Sequence, residues 1–371
     1  MIHLPSISGK RVLAAMSGGV DSSLSAALLR QQGAGVSGAT MRLVRGEEEE
    51  EKFYENSCCS LADVEDAKRA AARLGIPFQV LHMEEAFEDC VIRPFVREYE
   101  LGRTPNPCID CNRHLKFRLL LNKAMEQGFD YIATGHYAKV GFDESTGRYT
   151  LGKGADSGKD QSYVLYMLTQ EELSHILFPL GELTKEQVRA LALEYGLENA
   201  KKPESQDICF VPDGDYAGFI RRFTGKEYPP GDFVDESGQV LGRHKGQIAY
   251  TLGQRRGLGL SLKAPGYVVA RDLSANTITV GSEERLMNRS LLAASFNWIA
   301  PEPETGEPVK CTVRTRYRQR ETEAVAVKEE KGNVRVTFDA PIRAVTPGQS
   351  AVLYQGEQVI GGGIILEADP E

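Results

Sequence analysis

A glycine-rich turn near the N-terminus places the strongest constraint on the fold of this chain. The residues Met16 to Ser23 read MSGGVDSS, and they stand between a short apolar run, Arg11 to Ala15, and the helix-like Leu24 to Leu29. Adjacent glycines permit a tight turn, and a helix N-terminus presents unpaired N–H groups and the positive end of the helix dipole. The pattern therefore predicts a strand, a phosphate-binding turn and a helix. The alternative is an ordinary turn in which Asp21 or Ser22 caps the helix.

The turn lacks the lysine of a Walker loop, G-x-x-x-x-G-K-[ST], which disfavours simple transfer of a terminal phosphate. It resembles instead the PP-loop of the ATP pyrophosphatases. That resemblance implies an enzyme that uses ATP to adenylate a carbonyl or carboxylate oxygen and releases pyrophosphate, so that a nucleophile can then displace the oxygen.

Length and composition limit the class of protein. A chain of 371 residues with 41% hydrophobic and 26% charged residues is long enough for two or three domains with buried cores. No stretch reaches the roughly 18 consecutive apolar residues of a membrane span, and MIHLPSISGKRV lacks the apolar centre of a signal peptide. We therefore expect a cytoplasmic protein with no membrane contact, either a monomer or a weak dimer.

The first half of the chain alternates strand and helix patterns. Strands are predicted at Arg11–Ala15, Gly35–Leu43, Phe78–Leu81 and Tyr131–Thr134, and helices at Ser22–Gln32, Leu61–Leu74, Leu115–Gln127 and Thr184–Tyr195. Thr184 is the expected cap of the last helix. This order predicts an α/β fold with a doubly wound parallel sheet, whose ligands lie at the carboxyl ends of the strands.

Beyond about Pro203 the pattern changes to short strand-like runs separated by glycine and proline. YPPGDFVDESGQVLGRHKGQ and YTLGQRRGLGL predict a small, mostly β central domain. Runs from Asp272 onward, such as Thr277–Val280 and Asn333–Phe338, predict a C-terminal β-barrel. The predicted domains are residues 1–203, 204–271 and 272–371.

Charge is unevenly distributed along the chain. The formal net charge of −8 argues mildly against nucleic-acid binding, and the acidic block Glu47 to Glu51 is typical of a solvated loop. In contrast, alternate positions carry Arg314, Arg316, Arg318 and Arg320. In a strand, this period of two would place all four guanidinium groups on one face, which suits an RNA backbone. The alternative is a charged strand edge that faces solvent.

Three of the seven cysteines form a chemical pattern. Cys108 and Cys111 make a C-x-x-C behind the prolines of RTPNP, so both are expected near a helix start, where a thiolate is favoured. Cys209 follows in SQDICF, whereas the adjacent pair Cys58-Cys59 has no usual zinc spacing. A structural zinc, an iron–sulfur cluster with one open iron, and a pair of thiols with one persulfide are the three alternatives. Both sulfur alternatives supply a nucleophile for an activated carbon.

Taken in order, the motifs resemble the tRNA-specific 2-thiouridylases, which place sulfur on C2 of the wobble uridine of certain tRNAs. The matching segments span nearly the whole chain and are MSGGVDSS, GRTPNPCIDCNRHLKF, ATGHYA, GKDQSYVL, ESQDICF, YTLGQRRGLG, TRYRQ and TPGQSAVLY. The resemblance implies an N-terminal PP-loop domain, a small central domain that contacts tRNA, and a C-terminal β-barrel.

The resemblance also implies roles for individual residues. ATP would be bound by Ala15, Met16, Ser17, Gly18, Gly19, Val20, Asp21, Ser22, Met41 and Gly135. The target base would meet Asn106, Pro107 and Cys108. Other tRNA contacts would be His136, Lys159, Asp160, Gln161, Arg316, Tyr317 and Gln349. Cys111 would be the nucleophile and Cys209 the persulfide carrier.

The implied reaction begins when ATP, with Mg²⁺, adenylates the C2 oxygen of the uridine. Sulfur from a partner, a persulfide carrier or a cysteine desulfurase, then reaches Cys209 as a persulfide. It attacks C2 directly, or as hydrosulfide released by Cys111. Cys111 and Cys209 end as a disulfide that must be reduced. The extruded base is expected to be stabilised by a tyrosine or histidine near the pocket.

Cys108 departs from the family pattern. Many members carry aspartate at this position as a general acid or base, and a thiol is a poor substitute at neutral pH. A third thiolate would instead complete a ligand set. The prediction therefore favours a [4Fe-4S] cluster on Cys108, Cys111 and Cys209 over persulfide chemistry without a cluster.

Two other classes of protein are alternatives. Another PP-loop adenylating enzyme, such as an amidating ligase or an argininosuccinate synthetase-like enzyme, needs no paired reactive cysteines. A non-catalytic RNA-binding protein would need neither an intact SGGVDSS nor both Cys111 and Cys209.

Overall fold

A five-stranded parallel sheet organises the N-terminal half of the protein. The computed structural model describes residues 7–44, 61–197, 199 and 208–370. The strands of this sheet are β1 (Arg11–Ala15), β2 (Gly35–Arg42), β3 (Phe78–His82), β4 (Tyr131–Ala133) and β7 (Ile176–Leu177). Their order across the sheet is β3-β2-β1-β4-β7. Strands added after β1 lie on opposite sides of it, so the switch point of the fold lies between β1 and β4.

Helices connect and cover these strands. They are α1 (Val20–Gln31), α2 (Leu61–Leu74), α3 (Glu84–Phe87), α4 (Arg93–Glu100), α5 (Pro107–Asp110), α6 (Leu120–Glu126), α7 (Gln170–Ser174), α8 (Lys185–Glu194) and α9 (Tyr216–Thr224). π-helical segments at Glu88–Ile92 and Cys111–Leu119 join α3 to α4 and α5 to α6. Short 3₁₀ turns lie at Ser162–Leu165, Gln247–Ala249, Glu284–Leu286 and Glu330–Gly332.

Alternation along β1 explains the two cores that flank the sheet. Val12 and Ala14 pack with side chains of α1, α2 and α8, whereas Leu13 packs with those of α4 and α6. Successive side chains of a strand point to opposite faces, so a short strand that is apolar throughout is buried on both sides. The predicted doubly wound α/β fold is confirmed.

Most predicted elements of this half lie within two residues of the observed ones. Thr184 caps α8 as predicted, because its hydroxyl accepts from the Gln187 N–H and the Gln187 side chain reaches back to the Thr184 N–H. The helix predicted from Leu115 begins earlier, at Pro107. Proline is favoured at a first helical position, and Asn106 supplies the cap before it.

A second sheet forms the central region. Its strands are β8 (Gly231–Val234), β9 (Val240–His244), β10 (Tyr267–Asp272) and β11 (Thr277–Gly281), in the order β10-β11-β8-β9. Phe233, Val268 and Ile278 form the centre of its core and are fully buried. The run Thr277–Val280 is a strand as predicted, but its assignment to the C-terminal barrel is wrong, because β11 pairs with β10 and β8 in this central sheet. The central region is mostly β, as predicted.

The C-terminal strands close into an antiparallel barrel. They are β12 (Met287–Trp298), β13 (Pro308–Arg314), β14 (Thr322–Lys328), β15 (Val334–Arg343), β16 (Ser350–Gln355) and β17 (Gln358–Pro370). β12 pairs with both β15 and β17, which closes the ring. A hairpin from the N-terminal half, β5 (Ala138–Asp143) and β6 (Arg148–Lys153), joins this sheet where Leu151 pairs with Val359. Within the described ranges, none of the helices is long and apolar enough to cross a membrane.

Candidate active site

A cavity of about 1570 Å³ lies at the carboxyl ends of the parallel strands, where the fold predicts a ligand. Its walls come from the turn after β1, the ends of β2 and β4, the start of α5, the residues around Cys209, and the loop between β13 and β14. Among the predicted site residues, those in the wall are Ala15, Met16, Ser17, Gly19, Val20, Asp21, Ser22, Met41, Asn106, Pro107, Cys108, Cys111, Gly135, His136, Lys159, Asp160, Gln161, Cys209, Arg316 and Tyr317. Gly18 and Gln349 are outside it.

The turn after β1 keeps the start of α1 clear of side-chain caps. Gly19 is the N-cap residue, in an extended conformation, and no side chain caps the helix. Ser22 and Ser23 donate to the Gly19 carbonyl at 3.1 and 3.0 Å, and the Ser17 N–H donates to Ser22 Oγ at 3.1 Å. The alternative interpretation, with Asp21 or Ser22 as the cap, is therefore wrong. The uncapped first turn is the arrangement that binds a phosphate.

The Asp21 carboxylate has two partners from distant parts of the chain. Lys185 Nζ lies 2.8 Å from each carboxylate oxygen, and the Tyr137 hydroxyl donates to Oδ1 at 2.8 Å. Lys185 is 8% exposed and occupies the first position of α8. A Walker loop carries its lysine inside the turn. Here a cation reaches the turn from the start of another helix.

Two glycines of the predicted ATP site are required by close packing. Gly18 has a φ of +75°, and a Cβ there would lie 2.4 Å from the backbone oxygen of Asp63. A Cβ on Gly135 would lie 2.8 Å from the Ser22 nitrogen. Only glycine permits these close approaches, and at Gly18 it also permits the left-handed conformation. Asn199 also holds the turn, since its Nδ2 donates to the Gly18 carbonyl at 3.0 Å.

The C-x-x-C segment lies at a helix start, as predicted. Asn106 caps α5 by accepting from the Cys108 N–H at 3.2 Å, and Pro107 follows as the first helical residue. Cys108 is exposed, whereas Cys111 is 9% exposed and begins the π-helical segment. Cys209 is half-buried and lines the same cavity. The pair Cys58-Cys59 and the acidic block Glu47 to Glu51 lie outside the described residues.

The arginine-rich segment is a loop rather than a strand. β13 ends at Arg314, and residues 315–321 turn back toward β14. The Gln319 side chain closes this turn by accepting from the Thr315 N–H at 3.1 Å. The prediction of four guanidinium groups on one strand face is therefore wrong. Of the four arginines, Arg318 and Arg320 are exposed.

The other two arginines make internal contacts. Arg314 pairs with Asp160 at 2.7 Å and with Glu321 at 2.8 Å. Arg316 donates to the Ala344 carbonyl at 3.0 Å and to the Thr346 hydroxyl at 2.6 Å. These bonds attach the loop to the N-terminal half and to the barrel. They compete with the contacts to RNA that the pattern had suggested for both residues.

Tyr317 places an aromatic ring beside Cys108. Burial raises the pKa of the Tyr317 hydroxyl, and the nearby Asp160 carboxylate and Cys108 thiol add to the increase. Tyr317 therefore stays neutral over the physiological range. It lines the cavity and is the kind of flat, neutral group on which an extruded base stacks.

Three predicted tRNA contacts make bonds within the protein. His136 is 8% exposed and its Nδ1 lies 2.7 Å from the Thr134 hydroxyl. Burial lowers its pKa well below the usual value, so the ring is neutral. Gln161 accepts from the Tyr137 N–H at 3.0 Å. Gln349 donates to the carbonyls of Thr104 and Pro105 at 2.7 and 3.3 Å, and so it holds the segment that leads to Cys108.

Comparison with protein-family models covers the chain in three consecutive parts. Residues 10–213 match the tRNA methyl transferase HUP domain, residues 217–282 match the tRNA methyl transferase PRC-barrel domain, and residues 288–365 match the aminomethyltransferase beta-barrel domain. These matches follow the order of the three predicted domains. The predicted limits at 203 and 271 stay predictions.

Curated relatives match nearly the entire chain. The tRNA-specific 2-thiouridylase MnmA of Acetivibrio thermocellus is 52% identical over 97% of this chain and 100% of that protein. Proteins of the same name from Carboxydothermus hydrogenoformans and Geotalea uraniireducens are each 50% identical over 97% of this chain, and the matches cover 98% and 96% of those proteins. This protein belongs to the tRNA-specific 2-thiouridylase family.

Among solved structures, the U34-tRNA thiolase NcsA of Methanococcus maripaludis, with its [4Fe-4S] cluster, is 16% identical to this 2-thiouridylase family member. The match covers 59% of this chain and 69% of that chain, with a TM-score of 0.33. A likeness at this level carries no argument about the site.

The three cysteines of this family member do not fit a cluster as they are arranged. They line one cavity, but no three His, Cys, Asp or Glu side chains in the described ranges are grouped so that they could hold a metal ion. A cubane cluster with one open iron needs three thiolates that converge on it. A pair of sulfur-transfer thiols needs only Cys111 and Cys209 and does not depend on such a convergence.

The sequence patterns did not single out Lys185 or Asn112. Lys185 stands in the first turn of α8, where the helix dipole disfavours a cation, and that conflict is a signal of a partner elsewhere. Asn112 directly follows Cys111 in the segment GRTPNPCIDCNRHLKF. Its burial depends on contacts with distant residues, which no local sequence pattern shows.

Proposed function

We propose that this protein is an ATP-dependent tRNA-uridine 2-sulfurtransferase, which adenylates the C2 oxygen of a wobble uridine and replaces that oxygen with sulfur. The observation that carries the proposal is the cavity that contains the uncapped turn after β1 on one wall and Cys111 and Cys209 on another. The reaction must bring ATP, a base and sulfur to one place. The name of the curated relatives supports the same activity.

Adenylation requires stabilisation of the pyrophosphate that leaves. The first-turn N–H groups of α1 supply positive partial charge on the wall where the phosphates would lie, and the Lys185 ammonium stands there as the partner of Asp21. Asp21 and Asp63 line the same wall and fit the one or two protein carboxylates that Mg²⁺ takes beside phosphates. When bound, Mg²⁺ would neutralise part of the phosphate charge.

Sulfur transfer uses the two cysteines in sequence. The terminal sulfur of a Cys209 persulfide attacks C2, which forms the C–S bond, and AMP leaves with the former C2 oxygen. The Cys111 thiolate then attacks Cys209 Sγ and breaks the S–S bond, and that electron pair remains on the sulfur bound to C2. A disulfide between Cys111 and Cys209 results, and a thiol reductant must reduce it before the next turnover.

Two partners follow from this chemistry. The substrate is tRNA, and the exposed Arg318 and Arg320 at the cavity suit its phosphates. The sulfur donor is a protein that carries a persulfide, either a sulfur carrier or a cysteine desulfurase. It must reach Cys209, which is half-buried.

Replacing either catalytic cysteine tests the proposal. We expect Cys111→Ala and Cys209→Ala to abolish 2-thiouridine formation, measured by mass spectrometry of digested tRNA, while tRNA binding is retained. Cys90→Ala is the control, because Cys90 is half-buried and does not line the cavity. Retained 2-thiouridine in either active-site variant would falsify the assignment. An amidating ligase would instead be insensitive to all three changes.

A further inference from the structure

Asn112 combines two features that point to a ligand. It lines the cavity directly after Cys111 and is 2% exposed. Its Nδ2 donates to the Val164 carbonyl at 3.0 Å, whereas its Oδ1 is buried with no hydrogen-bond partner in the described structure. Leaving a buried carbonyl oxygen without a hydrogen-bond donor costs free energy. A ligand that brings a donor to this oxygen therefore binds more tightly.

Val164 determines which way this amide faces. Rotation of the amide by half a turn would place Oδ1 against the Val164 carbonyl, where two acceptors would repel each other. Val164 belongs to the 3₁₀ turn Ser162–Leu165, in which the Ser162 hydroxyl donates to Asp160 at 3.0 Å and the Tyr163 hydroxyl donates to the Ser350 carbonyl at 2.9 Å. The turn is thus held from both sides. With the amide held in this orientation, the atom of Asn112 that is left without a partner is an acceptor and not a donor.

Uracil supplies the donor that fits this acceptor. Its N3–H lies next to C2, so a base with C2 near Cys111 brings N3–H toward Asn112. Cytosine has a lone pair at N3 and would set acceptor against acceptor. We propose that Asn112 Oδ1 accepts the N3–H of the target base and thereby selects uracil over cytosine. The proposal rests on the proposed function, because it needs a tRNA uridine in this cavity.

The other buried polar atom of the wall cannot make this selection. Arg314 Nε is also buried without a partner, and Arg314 also lines the cavity. A guanidinium group only donates, so it would repel N3–H and would instead donate a hydrogen bond to N3 of cytosine. The preference for uracil therefore belongs to Asn112.

An atomic substitution in the base tests the contact. The full-length protein is assayed on tRNA with uridine or 3-deazauridine at the wobble position, since 3-deazauridine replaces N3–H by C–H. We expect Asn112→Ala to lower kcat/KM on uridine by about 10-fold, the effect of one lost hydrogen bond at a buried group. We expect the ratio of kcat/KM between the two substrates to fall by the same factor in that variant.

Gln247→Ala is the matched control. Gln247 is also buried, its Nε2 donates to the Asp272 carbonyl, and its Oε1 also has no partner in the described structure, but it lies in the central region outside the cavity wall. The Gln247→Ala variant should therefore keep the wild-type ratio of kcat/KM between the two substrates. Asn112→Ser is assayed in the same way if the alanine variant does not fold.

An equal loss on both substrates in the Asn112 variants would mean that the residue only supports the fold, and it would overturn the proposal. The proposed function is judged separately, by whether the wild-type protein converts the uridine substrate. If it forms no 2-thiouridine at all, the proposed function fails and this inference fails with it.

Discussion

Single residues around the cavity take their roles from contacts made by distant parts of the chain. Asp21 belongs to the first turn of α1, yet its partners are Lys185 and Tyr137. Gly18 is required by the backbone of Asp63 in α2. A turn motif identifies such residues, but the packing around them decides what each one does.

Gly18 can be tested against a glycine that has the same backbone conformation and no close neighbour. Gly147, between β5 and β6, has a φ of +65°, and a Cβ added there would meet no atom within 4 Å. Gly147→Ala should lower the free energy of unfolding by about 1 kcal/mol, the cost of a left-handed alanine. Gly18→Ala should cost more than twice as much and should also lose ATP binding. Urea denaturation and ATP titration measure both, and equal effects would refute the packing argument.

We expect the Asp110 carboxyl group to make the stability of the folded protein depend on pH. It stands in the C-x-x-C segment but does not line the cavity, and burial raises its pKa to about 6, with Glu98 adding to the increase. The folded state therefore binds this proton more tightly than the unfolded state. The stability that this gives is present below about pH 4 and is lost as the pH rises to about 6.

Asp110→Asn removes that titration. We expect the variant to be more stable than wild type at pH 7 by up to about 3 kcal/mol, and the difference to vanish near pH 4. Asp143→Asn should behave in the opposite way, because hydrogen bonds from Ser145 lower the pKa of Asp143. Urea denaturation at several pH values checks both signs. A difference that stays constant from pH 4 to 7 would contradict the prediction for Asp110.

At the scale of elements, helix starts position the groups that face the cavity. α1 begins at the turn after β1, α5 begins one residue before Cys108, and α8 begins at Lys185. Each start is set by local residues: glycines for α1, Asn106 and Pro107 for α5, and a capping box for α8. Helix starts therefore position the first turn of α1, Cys108 and Lys185, whereas Tyr317 and the residues around Cys209 reach the cavity from segments outside helices and strands.

Two capping boxes allow the role of α8 to be separated from simple helix stability. Thr184 caps α8 with Gln187, and Thr169 caps α7 with Glu172. Thr184→Ala and Thr169→Ala should each lower the free energy of unfolding by about 1 kcal/mol. Thr184→Ala alone should raise the KM for ATP, because Lys185 follows it directly. An unchanged KM in that variant would show that Lys185 does not depend on the cap.

At the scale of the whole molecule, the N-terminal half and the barrel share one sheet and one cavity. The hairpin of β5 and β6 pairs with β17, and Arg314 at the end of β13 pairs with Asp160. The barrel thereby supplies Tyr317 to the wall that contains Cys108. The site is complete only when both parts are docked.

Gln349 tests this docking. Its side chain joins the barrel to the carbonyls of Thr104 and Pro105. Gln349→Ala should lower kcat for thiolation about 10-fold, because the segment that positions Cys108 and Cys111 loosens, with little change in KM for tRNA. Gln355→Ala is the control, since Gln355 bonds the Lys310 carbonyl within the barrel. A rise in KM with unchanged kcat would instead support the direct tRNA contact that the family resemblance implies.

The sequence by itself determined the local structure and the chemical groups. β1, α2 and the Thr184 cap were predictable because strand period, helix period and capping depend on residues only a few positions apart. The same holds for the turn after β1 and for the helix start before Cys108. The series of motifs also indicated the family and the order of its three domains.

Only the tertiary structure decided how these groups meet. The four arginines alternate as they would in a strand, but β13 ends at Arg314 and a turn closed by Gln319 follows. Arg314 pairs with Asp160 and Arg316 bonds Thr346, both far away in the sequence. The partner of Asp21 lies more than a hundred residues away, at Lys185. Ion pairs, cavity walls and the relative placement of thiols depend on long-range packing, which local periodicity does not encode. For that reason the sequence singled out Cys108, Cys111 and Cys209 as candidates, and the fold decided that they line one cavity with the turn after β1.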